Sequence, residues 1–200
     1  MPRLQIVRLP NDHTSGASPG KPTPVAHVAD NDLAFGRLVE GVSKSKFWAK
    51  TAIFVVEDDA QNGPDHVDAH RTIAYVISPY TKRGSVDSTL YSTASMLRTM
   101  ELILGLKPMS QFDALAMPMF ASFQNKPDLK TYKPLVPKVD MNAKVAANAY
   151  GVKETLAMDF TKEDAADDLA LNEIIWRNVR GANARMPAPI RRAWVLSEDE

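Results

Sequence analysis

Apolar positions along the chain follow two spacings. Residues 4–9, 52–56 and 73–77 are short runs rich in Val and Ile, each ended by turn or polar residues, as buried strands are. Residues 31–41 carry Leu33, Phe35, Leu38 and Val39, approximately a helical stripe. Between the first run and this stripe lies 11–24, dense in Pro, Gly, Ser and Thr, which reads as a loop. Strand, helix and strand in that order predict a βαβ crossover and a parallel sheet. The clearest helix spans 88–106, where Leu90, Ala94, Leu97, Met100, Glu101 and Leu104 recur at helical spacing. Gly105 offers its stop signal and Pro108 follows. Ser78, Pro79 and Tyr80 read as a turn, because a residue ahead of proline is biased away from helix.

Beyond Met117 the composition shifts, and the chain divides into 1–117 and 118–200. Pro118, Pro127, Pro134 and Pro137 break the second part into short extended pieces, expected to wrap the surface with little regular structure. Helices are expected at 143–152 and 165–179. The second carries Leu169, Leu171, Ile174, Ile175 and Trp176, enough to dock on a core, and Pro187 and Pro189 close it. Glu198, Asp199 and Glu200 form an acidic, solvated end.

Composition narrows the class. A hydrophobic content of 44% with 24% charged residues can bury a core. Lys+Arg and Asp+Glu are both 24, so nothing suggests the phosphate-backbone attraction of a nucleic-acid binder. The chain has no Cys, which rules out disulfides, Cys-ligated zinc and thiol chemistry. No apolar stretch approaches the length of a membrane span, and residues 1–20 lack the apolar core of a signal peptide.

The segment 51–71, TAIFVVEDDAQNGPDHVDAHR, carries the most chemistry. An apolar run ends in Glu57, Asp58 and Asp59, and Asp65, His66, Asp68 and His70 follow within a dozen residues. In an open α/β sheet, ligands sit outside the carboxyl ends of strands. Carboxylate oxygen and neutral imidazole nitrogen are donors for a divalent metal. Both Asp58 and Asp59 can face one ion only if the strand has already ended, since neighbouring strand residues point to opposite faces; otherwise they cap a neighbouring helix. His66 and His70 stand four residues apart, with Asp68 between them. Arg71 could pair with a carboxylate or with a bound phosphate. Asn11, Asp12, His13 and Thr14 follow the first apolar run as Asp58 and Asp59 follow the second, so the two sets could converge on one metal; the plainer reading is an Asx-turn. His27 lacks such company and reads as structural. Ser92, Thr93 and Ser95 have no His or Lys at a spacing that suggests a nucleophile, and the Met residues between 96 and 119 read as core filling.

Several longer motifs carry a family resemblance: LPNDHT at 9–14, VADND at 28–32, the strand and acidic loop at 48–71, ISPYTKRGSVDSTLYST at 77–93, SMLRTMELILGL at 95–106 and NEIIWRNVRG at 172–181. Together they resemble the phosphoesterase family that contains bacterial phospholipase C and acid phosphatase, within the alkaline phosphatase superfamily. Relatives of the phospholipase C type carry a similar strand, a carboxylate pair, and Asp-His-Val seven residues after the first member of the pair. Asp58 and Asp65-His66-Val67 keep that spacing.

The resemblance implies an α/β fold of three layers, α/β/α, around a mostly parallel sheet. It implies hydrolysis of a phosphate ester through a Ser or Thr nucleophile and a divalent metal ion. Asp58, Asp59, Asp12 and His70 are the implied metal ligands, and His13 and His66 would stabilise the phosphoryl group. Zinc, manganese or iron suits mixed ligands, whereas calcium or magnesium suits an oxygen-dominated set. In that family the nucleophile lies in an N-terminal half with no counterpart in this sequence. The expectation is therefore a C-terminal half, incomplete on the N-terminal side of its sheet and inactive alone, whose partner is the missing half of the same domain. Two alternatives stay open: a non-catalytic remnant that binds a metal or a partner, and a self-contained hydrolase with Thr14 as nucleophile. The resemblance implies full-length relatives that are periplasmic or secreted. It leaves phosphomonoester and phospholipid substrates unseparated.

Overall fold

The computed structural model describes residues 2–9, 13–57, 63, 65, 70–162 and 165–190. Among them run α1 (Pro24–Ser43), β1 (Ile53–Val56), β2 (Ala74–Ile77), α2 (Thr93–Leu104), α3 (Gln111–Leu115), α4 (Val152–Ala157) and α5 (Asp168–Arg180), with 3-10 turns at Trp48–Lys50 and Phe120–Ser122. The chain clusters into two compact units. The first comprises Met1–Val7, Val39–Glu57 and Ile73–Tyr132; the second comprises Arg8–Leu38, Asp58–Thr72 and Lys133–Glu200.

The sheet lies in the first unit. Both strands fall where runs of β-branched and aromatic residues predict them. They pair antiparallel, Ile53 opposite Ile77 through Val56 opposite Ala74, and the Glu57 N–H extends the ladder to the Ile73 carbonyl at 3.1 Å. This corrects two expectations. Residues 4–9 are not a strand, and Ile6 is 92% exposed. Without that first strand the described residues form no βαβ crossover, and the described sheet is two-stranded and antiparallel. The physical reason is that an apolar run becomes a strand only beside a partner that satisfies its backbone groups.

In the same unit, α2 is fixed at both ends. The Ser92 N–H donates to Ser95 Oγ at 3.1 Å at its start. At its end Gly105 adopts φ 72°, the left-handed turn that glycine allows, and the Leu106 N–H donates to the Glu101 carbonyl at 2.9 Å. The helix starts later than 88 because Asp87 engages the residues that follow it: its carboxylate accepts from the Thr89 N–H and hydroxyl and from the Tyr91 hydroxyl. These bonds, that from the Thr89 hydroxyl first, hold the Asp87 carboxyl below its usual range. Buried Thr99 donates to the Ser95 carbonyl at 2.7 Å and accepts from the Met119 N–H at 2.9 Å, tying the post-α3 segment to α2. Ser110 and Asp113 form a capping box on α3. The Ser110 hydroxyl above all, then the Met109 N–H, holds the Asp113 carboxyl well below the carboxylate range, against the opposing effect of burial. Met96 and Met119 are buried as expected, whereas Met109 and Met117 are exposed.

The second unit is built around Ala17, Val145 and Ile174. The buried Ala17 N–H donates to Thr155 Oγ1 at 3.0 Å. Residues 143–145 are not helical as expected. Their backbone pairs with 20–23 instead, through Gly20 N–H to Val145 O at 2.9 Å, Val145 N–H to Lys21 O at 2.9 Å and Thr23 N–H to Ala143 O at 3.0 Å. Gly151, at φ 81°, then turns the chain into α4. Helix α5 appears close to its expected place, capped by the Asp167 carboxylate accepting from the Ala170 N–H at 2.7 Å. Helix α1 begins at Pro24, seven residues ahead of its expected start at 31; proline suits a first helical turn, where its missing N–H costs nothing. No helix among the described residues is long and apolar enough to cross a membrane.

Candidate functional site

Strand β1 ends at Val56, and its ladder stops at Glu57. The described ladder thus ends one residue before Asp58. Asp58, Asp59, Asp12 and His66 lie outside the described residues. His13 and His70 are described, both exposed, and both on segments of the second unit. No three His, Asp or Glu side chains among the described residues stand close enough together to hold a metal.

The best-defined chemistry in the loop is an ion pair. Arg71 donates from Nη2 to both carboxylate oxygens of Asp65, at 3.0 and 2.9 Å, and from Nε to Oδ2 at 3.1 Å. Arg71 is exposed and Asp65 half-buried. Of the two roles open to Arg71, the structure shows the carboxylate partner. The Asp65 carbonyl also accepts from the Ile190 N–H at 3.0 Å. Gly63 passes close to α5: a Cβ built there would stand 3.4 Å from Asn172 Oδ1. Neither the pairing across six residues nor the approach to α5 has a periodic signal in the sequence. The Ser110–Asp113 capping box does have one, Ser-x-x-Asp.

The hydroxyls considered as nucleophiles have structural work. Thr14 Oγ1 accepts from the Gly16 N–H at 3.2 Å. Ser95 is buried and receives the Ser92 N–H. His27 is buried, in keeping with a structural role, though neither ring nitrogen has a hydrogen-bond partner among the described residues. A cleft of about 310 Å³ in the first unit is lined by Lys50, Thr51, Ser78 and Tyr80 over an apolar floor that includes Ile103 and Phe123; it contains none of the expected site residues.

No curated protein matches the chain. Residues 21–107 match the model of the Phosphoesterase family. That span takes in α1, both strands, the acidic loop between them and α2. The loop of carboxylates and imidazoles thus stands inside the matched segment, and over that segment the chain is similar to the phosphoesterase family.

Proposed function

We propose that the chain carries part of a metal-dependent phosphoric ester hydrolase. The observation that carries this reading is the family match over 21–107, which encloses the loop following β1. Asp58, Asp59, Asp12 and His70 would hold a divalent ion, and His13 and His66 would steady the phosphoryl oxygens. The donor chemistry fits, because carboxylates and imidazoles together suit zinc, manganese or iron, and the carboxylates alone calcium or magnesium. Such an ion, when bound, withdraws charge from the phosphoryl oxygens and makes an attacking hydroxyl easier to ionise. His13 and His70 are exposed, so a substrate phosphate can reach their rings without the fold opening.

The reading takes the nucleophile from a further part of the domain, because Thr14 and Ser95 already serve the local fold. It also takes the two-stranded sheet as one piece of a three-layer α/β/α arrangement with a mostly parallel sheet. Exposed apolar side chains on and beside the strands, Val56, Ile73 and Tyr75, support this, since further strands or helices would cover them. Phosphomonoester and phospholipid substrates are both compatible with it.

The test is a chromogenic phosphate ester assayed with residues 1–200 and with a chain extended upstream. Manganese, zinc, calcium or magnesium would be added and then chelated. The expected result is metal-dependent hydrolysis by the longer chain, reduced by at least about tenfold by Asp58→Asn, since loss of a group that only orients a ligand already costs that much. Hydrolysis that survives both chelation and Asp58→Asn would overturn the reading.

A further inference from the structure

We infer that the cleft beside the start of β1 and the end of β2 binds a small apolar carboxylate, a monoanion such as a medium-chain fatty acid. The inference goes beyond the phosphoesterase reading and does not depend on it. The cleft has a volume of about 310 Å³ and lies wholly in the first unit. Its lining comes from 49–52 ahead of β1, from Ser78 and Tyr80 after β2, from Ile103 of α2 and from Phe123. These segments are fixed to one another. The strands pair, the Gln124 N–H donates to the Tyr80 carbonyl at 2.8 Å, and the Phe123 ring stands 6.4 Å from that of Phe54. The walls are therefore set in advance, and little ordering opposes a ligand.

The polar groups of the cleft call for an anion. Ser78 is 2% exposed, and its Oγ accepts from the Tyr80 N–H at 3.2 Å, while its own hydroxyl proton meets no acceptor among the described residues. A buried donor in that condition costs stability until something accepts from it. The Tyr80 hydroxyl is a second donor. The Thr51 hydroxyl is already given to the Phe47 carbonyl at 2.8 Å. Among the lining residues Lys50 alone is charged, and it stands in no ion pair among the described residues. One ammonium compensates one negative charge. A carboxylate brings that charge and two acceptor oxygens, whereas a phosphate monoester brings nearly two charges and stays undercompensated. The apolar body of the ligand lies on Phe123 and on Ile103, which is 55% exposed and gains cover from it.

The experiment titrates residues 1–200 with octanoate and follows backbone amides by NMR, with a chelator present so that divalent ions play no part. Octanol and octyl phosphate are the comparison ligands. Saturable shifts are expected at 49–52, 78–80, 103 and 123, with both comparison ligands binding more weakly. Lys50→Met should weaken octanoate about threefold to fivefold, the effect of losing an exposed charge partner. Ile103→Glu, at an exposed position, should abolish octanoate binding with the thermal midpoint unchanged; if the midpoint falls, Lys50→Met alone decides. Unchanged affinity in Lys50→Met would overturn the site. So would shifts spread over other exposed apolar side chains such as Met109 and Leu115, or no saturation by about 10 mM, the range that a ligand of this size reaches at ordinary efficiency. Tighter binding of octyl phosphate than of octanoate would overturn the carboxylate assignment.

Discussion

Gly151 and Val56 stand in opposite kinds of packing. At Gly151, in the second unit, a methyl group would lie 2.5 Å from Ile174 Cγ1, inside contact distance, on a backbone at φ 81°. Ile174 is buried there with Ala17 and Val145, and Thr155 is 1% exposed. At Val56, in the sheet of the first unit, the side chain is 41% exposed, and Tyr75 on the paired strand is 51% exposed. The residues with the highest strand propensity are thus among the less covered, while a glycine, an alanine and a threonine sit in the tightest place. Small side chains allow backbone segments to approach, and that approach buries the large ones around them. Strands with apolar residues on successive positions need cover on both faces, which two strands alone cannot provide.

The sharpest way to break the contrast is Gly151→Ala. The added carbon meets Ile174, and the left-handed backbone disfavours any side chain, so stability should fall by about 3 kcal/mol. Urea unfolding followed by circular dichroism reads this directly, and a loss below about 1 kcal/mol would show that the second unit yields more readily than its geometry says. Thr155→Val comes next. It keeps the volume but leaves the buried Ala17 N–H without its acceptor at 3.0 Å, a loss of about 2 kcal/mol in the same measurement. Thr155→Ser should retain most of that bond, which separates the hydrogen bond from the packing. The smallest effect is expected at Val56→Lys. On an exposed strand position it should change the stability of residues 1–200 by less than about 0.5 kcal/mol. In the extended chain, where the proposed further strands would cover this face, the same substitution should be clearly destabilising. Equal effects in both chains would remove the argument that the sheet is larger than two strands.

Much of the local structure was legible. The Val/Ile runs place β1 and β2 within a residue or so, the apolar stripe places α2, and Gly105 stops it where expected. The start of α2 lies later than the apolar stripe indicates, because Asp87 holds Thr89 and Tyr91 in a hydrogen-bonded turn, and short polar side chains compete with a helix at its first turn. Of the candidate site, the position of the acidic loop at the end of a strand was readable, because it depends only on where an apolar run stops. The role of Arg71 was not: a carboxylate and a phosphate make equal demands on a guanidinium, and only the folded loop shows Asp65 in its reach.

The sequence by itself determined the periodicities, the stop signals and the chemical types gathered after β1, since each depends on residues within a turn or two of one another. Tertiary structure alone decided that 4–9 is no strand, that the sheet pairs antiparallel, and that 143–145 lies along 20–23 in place of a helix. The reason is common to all three. A backbone N–H or carbonyl must find a partner, many segments offer one, and which segment arrives is settled by contacts that no local pattern encodes.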